Sequence, residues 1–458
     1  VAPGLAEIAA TTKLTVYTQD DLAFPEGPSP QDDTSLERSW HWQIEAVPSL
    51  LRIEAGGETG RIVGWQRGEW ETFTGLRGLG AELPEWRPGC GSLSVDPDRV
   101  DALRVRFSGS TLHARRIELA ALEDEIEAAF AKGWTDGLPI VAPTEARVLA
   151  MLEGTTRAPQ DIVATVPPDL VPCTVEKVAI NAVMAGCKPE YLPVVIAALE
   201  AACTDAFNIH GVLATTMPVG PVVVVNGPIR RALGMNSGKN VFGQGNRANA
   251  TIGRALQLVI RNVGGGRPGE VDRATFGNPG KLSFCFAEDE EGSPWGPLSA
   301  DLGAPPGMNT VTLFPGEGPR SIVDQLSRDP ESLARTFALC LRAVHHPKLV
   351  LAFDAILAIG PEHARVFRDA GWTKPRLVQR LYELCRYPSR ELARGALGIA
   401  EGLPLSGAAL EGELPKFRPN NGLLIVHCGG GAGLFSAVIG GWANGATGST
   451  PVWREIRR

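Results

Sequence analysis

The chain has 458 residues, of which 44% are hydrophobic and 21% charged, and its net charge is -7. That length supplies buried cores for about three ordinary domains, and the lack of any basic block excludes nucleic acid or an anionic membrane surface as the main partner. The longest apolar runs, PVVVVNGP at 221–228 and LPVVIAALEAAC at 192–203, fall short of the roughly 20 residues that a membrane span needs.

The first residues, VAPGLAEIAATTKL, lack the basic start and apolar block of a secretory leader. A cytoplasmic setting is expected. Residues 1–116 hold short alternating runs (LTVYT, LLRIEA, GRIVGWQ, ALRVRFSG) among Trp, Gly and Pro, which reads as a small β-rich module. IELAALEDEIEAAFAK, 117–132, has helical periodicity and stops at Gly133, predicting a connector helix with a glycine C-cap.

Residues 133–305 read as a central α/β domain. GWTDGLP opens it as a loop, two helices break at Gly186 to Pro189, and VGPVVVVNGPI is a buried strand between Gly-Pro turns. Residues 306–458 alternate strand and helix: TVTLF, a helix at 319–344, LVLAFDAILAIG, PEHARVFRDAG, PRLVQRLYELC, and LLIVHC before a glycine run. That alternation predicts a Rossmann-like domain with a parallel sheet. The fold class is α/β.

Two glycine-rich turns suggest ligand sites. In FGQGNRANATIG, Gly243 and Gly245 let backbone N–H groups approach a ligand, Arg247 forks onto an anion with Asn246 and Asn249 beside it, and Asn249 or Thr251 can cap the helix that follows. Together they would cradle an anion at a helix N-terminus, although a tight Asn-capped turn explains them equally well. In HCGGGAGLFSAV, Gly430, Gly431 and Gly433 follow a strand, and Ser436 lies near an expected helix start. His427 and Cys428 are successive strand residues and point to opposite faces.

Among titratable groups, Asp136 sits beside Trp134 on the GWTDGLP loop as a catalytic acid or a turn cap. In FCFAEDEEGSPW, 284–295, Glu288 and Glu291 are expected to have raised pKa values if they face inward, the simpler alternative being a solvated acidic loop. Cys187, with Lys188 at a helix start, is the nucleophile candidate if its thiol pKa is lowered there, and a buried structural thiol is an equal alternative. His210 is either a base or a core histidine. The eight cysteines form no CxxC pair, so neither a disulfide framework nor a structural metal site is expected. A dinucleotide is possible at the C-terminal glycine turn, but FGQGNRANATIG has neither the GxGxxG nor the GxxxxGK[ST] spacing, and the cofactor stays unknown.

GWTDGLPIVAPTEARVLAML, NAVMAGCKPEY, NRANATIGRA and GKLSFCFAEDEEGSPW occur in this order. They resemble a poorly characterised bacterial family commonly encoded beside small proteins that carry a UGSC or CGSC motif. The resemblance covers about residues 130–300 and implies a partner with a redox-active selenocysteine or cysteine. Around Cys90 the sequence itself reads CGSL, with Leu93 where the second thiol of that motif would stand.

Two functions follow as expectations. One is an enzyme acting on a small anionic substrate by thiol-linked lyase, hydrolase or redox chemistry, with Asp136, Cys187, Glu288 and Glu291 as reacting groups. The other is a scaffold that positions the thiol partner. A homo-oligomer is left open.

Overall fold

A computed structural model describes residues 2–23, 29–109, 112–120 and 123–458. The chain divides into two compact units, 1–111 with 145–149, and 112–144 with 150–458.

In the first unit, strand pairs such as the hairpin Ser49–Glu54 with Gly57–Val63 lie among short helices. Its core gathers Leu5, Ile8, Trp65, Trp70 and Leu79, with the two indole rings 5.0 Å apart.

The second unit is built on one eight-stranded mixed sheet. Its strands are β1 (Gly220–Asn226), β2 (Cys285–Ala287), β3 (Thr310–Gly316), β4 (Arg320–Val323), β5 (Phe353–Ile359), β6 (Leu423–His427), β7 (Phe435–Ala443) and β8 (Val452–Glu455). The order is β2-β1-β3-β7-β5-β6, with β4 on β7 and β8 on β3. Every residue of β1 is buried, which explains its unbroken valine run.

Five expectations are corrected here. Strands from 133–305 and 306–458 join one sheet. That sheet is not parallel: β1–β2 and β5–β6 are parallel, whereas β1–β3 and β5–β7 are antiparallel. LFSAV after the glycine turn is strand β7, not a helix, because its alternate residues Ser436 and Val438 face the core and pair with β4 and β5. The helix expected at 319–344 splits into β4 and α5 (Pro330–Arg342), where the Asp329 side chain caps the helix and Pro330 starts it. The connector helix is also shorter, Glu125–Ala131. It begins where the Asp124 carboxylate accepts from the Ile126 and Glu127 N–H groups; residues 121–122 of the expected span lie outside the described residues.

β3 and β7 touch at a single pair, Gly316 with Gly441. Side chains have no room there: a Cβ on Gly316 would sit 2.7 Å from Val222 Cγ2, and one on Gly441 2.8 Å from Phe314 Cζ. Val222, Val224, Phe286, Phe314, Ile356, Leu424, Val426 and Ile439 form one core from all six strands of the path. The two ends of that path meet, since Asp289 N donates to His427 O at 2.8 Å. On the opposite side of β5, β6 and β7, Leu357, Ile425 and Val438 pack against α5, α6 (Pro361–Asp369) and α7 (Lys374–Leu384) through Phe337, Phe367, Leu377 and Leu381. A further helix, Arg247–Asn262, packs on helices Val175–Ala185 and Leu192–Ala202.

Candidate functional site

The ends of β1, β2 and β6 meet at Glu288, which is only 1% exposed. Its Oε2 accepts from Asn226 Nδ2 and from Leu298 N, both at 2.7 Å, and its Oε1 accepts from His427 N at 3.3 Å. The same Asn226 amide donates to Glu290 Oε1 at 3.0 Å. That double donation fixes which way the amide faces, because a flipped oxygen would meet two carboxylates. Burial pushes the Glu288 carboxyl above its ordinary range, against the pull of the Lys374 ammonium and the three N–H donors.

Arg230, 3% exposed, anchors the acidic turn from below. It donates to Gly227 O, to Glu288 O at 2.8 Å and to Glu291 Oε1 at 2.9 Å. The expectation for Glu291 is therefore corrected. Its hydrogen bond to Arg230 holds the carboxyl below the ordinary value, because it is a largely exposed ion-pair member and not a buried acid.

An open recess of about 460 Å³ lies beside this cluster, lined by Trp295, Gly296, Asp301, Trp372, Thr373 and Lys374, among others. Trp295 Nε1 donates to Trp372 O at 2.9 Å, which locks the two aromatic segments together. Lys374, the first residue of α7, is 7% exposed. Its ammonium pairs with Asp301 and donates to Gly296 O at 3.1 Å. Burial raises the Asp301 carboxyl despite that partner. Helix α4 (Leu298–Asp301) ties the two features together, with Leu298 N on Glu288 and Asp301 in the recess wall.

The remaining expected residues form a second cluster along the helix Arg247–Asn262. Asp136 is clamped by Arg254, Nε to Oδ2 at 2.7 Å and Nη2 to Oδ1 at 2.8 Å. Burial alone would raise its pKa, but the guanidinium outweighs burial and holds the carboxyl low. Cys187 donates to Thr251 O at 3.4 Å, and burial pushes its thiol up to about 12. The expected lowered pKa is thereby corrected, because desolvation outweighs the cations nearby. Arg247 is exposed and donates to Gly186 O and Cys187 O, the carbonyl end of the preceding helix.

The amides of this segment are also spent internally. Asn246 Oδ1 accepts from Asn249 N, and Asn249 brackets Asn236 by accepting its N–H and donating to its carbonyl. Gly243 and Gly245 shape that turn, Gly245 with φ 109. Trp134 receives Asn262 Nδ2 on its carbonyl, and His210 is exposed on a short helix. Neither Asp136 nor Arg247 lines the recess.

At the C-terminal glycine turn, Gly429 N donates to Ser237 O at 2.8 Å, and a Cβ on Gly430 would meet Lys239 Cγ at 2.8 Å. The C-terminal glycine turn therefore touches residues 237–239, just before the first glycine-rich segment. Gly431 is exposed, and Gly433, with φ 103, lies under the Phe435 ring. Ser436 Oγ is 2.8 Å from His363 Nδ1.

Sequence reasoning missed Asn226, Arg230, Lys374, Trp372 and His363. The lone polar Asn226 closing the valine run was a readable sign. Arg230, His363 and Lys374 sit on helices and Trp372 in the link between α6 and α7, with no local signal that sets them apart. Among the described residues, no group of three or more His, Cys, Asp or Glu side chains is placed to hold a metal ion. No protein-family model, curated protein or solved structure matches this chain.

Proposed function

We propose that the chain is an enzyme acting on a small anionic substrate in the Trp295–Trp372 recess. The observation that carries this reading is Lys374, a nearly buried ammonium in the recess wall whose charge also acts on the buried carboxyl of Glu288. A substrate carboxylate or phosphate would compete with Asp301 for Lys374. The indoles would hold its apolar part, and Glu288, joined to the recess wall through Leu298 N and with its pKa raised by burial, would exchange the proton.

This chemistry suits a lyase or hydrolase. A thiol-linked or redox version takes its thiol or selenol from a UGSC/CGSC-type partner, because Cys187 is shielded and its thiol stays protonated at neutral pH. Eight unpaired thiols suit a reducing compartment, and we place the protein in the cytoplasm.

A second reading, the partner-binding scaffold, is favoured by one observation. Val323, Leu326 and Phe435 are 56%, 88% and 49% exposed around β4 and the start of β7. The two readings separate in one experiment, in which the protein is incubated with a pool of small carboxylates and phosphate esters followed by mass spectrometry. The enzyme reading expects one compound to disappear with wild type and to persist with Glu288→Gln. Turnover of nothing, or equal turnover by the variant, overturns it.

A further inference from the structure

The geometry points to a nucleophile–base pair, Ser436 with His363, that would form and hydrolyse an acyl-serine intermediate from a small ester or thioester. This inference stands independently of the role given to Glu288.

The pair is assembled by register. Ser436, the second residue of β7, lies opposite Ile359, the last residue of β5, and opposite Ile322 of β4. His363 lies in the first turn of α6, which starts directly after β5. The protonation pattern follows from the partners. His363 Nε2 is 3.1 Å from the carbonyl oxygen of Asp324, an atom that can only accept, so Nε2 carries the hydrogen. Nδ1 is then a bare acceptor, and Ser436 Oγ–H, 2.8 Å away, donates to it. Burial lowers the pKa of His363, so the imidazole is neutral at pH 7 and able to take a proton. A nucleophile, a base and a group that orients the base are thus in place; the orienting group is a backbone carbonyl where a carboxylate is more usual.

Gly360 N donates to Ser436 Oγ at 3.3 Å, so the hydroxyl sits at the N-terminus of α6. The first-turn N–H groups of Glu362 and His363 have no acceptor inside the helix. They are available to an oxygen that gains negative charge beside Oγ.

The bland alternative is a buried serine–histidine contact that only joins β7 to α6. Two features weigh against it. The turn Gly429–Gly433, four glycines and one alanine, passes the start of α6 with little side-chain bulk: a Cβ on Gly429 would lie 3.9 Å from both Gly360 Cα and Pro361 Cδ. Ser436 also keeps 7% of its surface exposed, whereas His363 has none.

The step balances without any redox reagent. Oγ attacks the acyl carbon as its proton moves to His363 Nδ1. The bond to the leaving alcohol or thiol breaks, and that group takes the proton from His363. Water, deprotonated by the same nitrogen, then cleaves the acyl–Oγ bond, releasing the acid and restoring the serine.

The test uses the full chain and diisopropyl fluorophosphate, followed by intact-mass and peptide-mapping mass spectrometry. One phosphoryl adduct on Ser436 is expected, absent in Ser436→Ala and formed at least 100-fold more slowly in His363→Gln with an unchanged melting temperature. If Ser436→Ala does not fold, the mapped position in wild type decides the matter. No adduct on the folded wild-type chain, or an adduct on any other residue, overturns the inference.

Discussion

Asn226 Nδ2 lies 2.7 Å from Glu288 Oε2 while also donating to Glu290, so one buried amide holds two carboxylates at the meeting point of three strands. Asn226→Asp would replace the shared donor with a third negative charge. Both the lost hydrogen bonds to charged groups and the new repulsion destabilise, and the expected loss is about 4 kcal/mol at pH 7. Urea denaturation would measure it. A loss below about 1 kcal/mol would show that the cluster tolerates another charge.

Asp136→Asn tests the clamp on Arg254. Both side chains are mostly buried, 10% and 15% exposed, so a guanidinium without its anion should cost about 3 kcal/mol at neutral pH. Because the folded-state pKa of Asp136 is lowered, its contribution is present above the unfolded carboxyl range, near 3.8, and is lost as pH falls through the folded value. The gap between wild type and variant should therefore narrow on acidification.

Glu288 has the opposite sign. Its folded pKa is raised, so the folded state binds its proton more tightly than the unfolded chain does. That stabilisation is complete below the unfolded value of 4.5 and fades as pH rises through the folded one. Glu288→Gln should flatten this part of the stability profile between acid pH and neutrality, as read by melting temperature in a pH series.

The thiols predict a reactivity order. Cys90 is exposed, while Cys173, Cys187, Cys285 and Cys428 are buried, and burial pushes Cys173 and Cys187 up to about 12. In the native protein at pH 8, a disulfide reagent should modify Cys90 at least 100-fold faster than those four, and denaturant should level the rates. With folded thiol pKa values above the unfolded value, stability should also fall as pH rises beyond about 9.

Gly441→Ala places a methyl group at the one point where β3 and β7 touch. Phe314 Cζ at 2.8 Å and Asp354 O at 2.9 Å would both have to move, and a loss of about 2 kcal/mol is expected from overpacking. The same change at exposed Gly68, where nothing lies within 4 Å, should leave the melting temperature within a degree or two.

Individual elements were legible in the sequence wherever local chemistry decides them. The valine run became β1, Gly360-Pro361 opened α6, and Gly186 and Gly371 took up positive φ where helices end. Strand direction was not legible. Whether 435–443 pairs antiparallel to β5 depends on tertiary register, and its small residues suit a helix as well as a strand. The burial of Glu288 could be anticipated from the apolar run before it, but its separation from the neighbouring acid Glu291 could not. Arg230, remote in sequence, draws Glu291 outward into an ion pair. Cys187 misled for a related reason: adjacent cations are visible in sequence, whereas the packing of the helix Arg247–Asn262 over the thiol is not.

The central claim is that the Trp295–Trp372 recess binds a small anion through Lys374. Isothermal titration of the purified protein with a panel of short carboxylates and phosphate esters tests it directly, comparing wild type with Lys374→Met. The account predicts saturable binding of at least one compound, weakened at least tenfold in the variant at a temperature where both proteins are folded. Absence of binding across the panel, or equal affinity in both proteins, would contradict it.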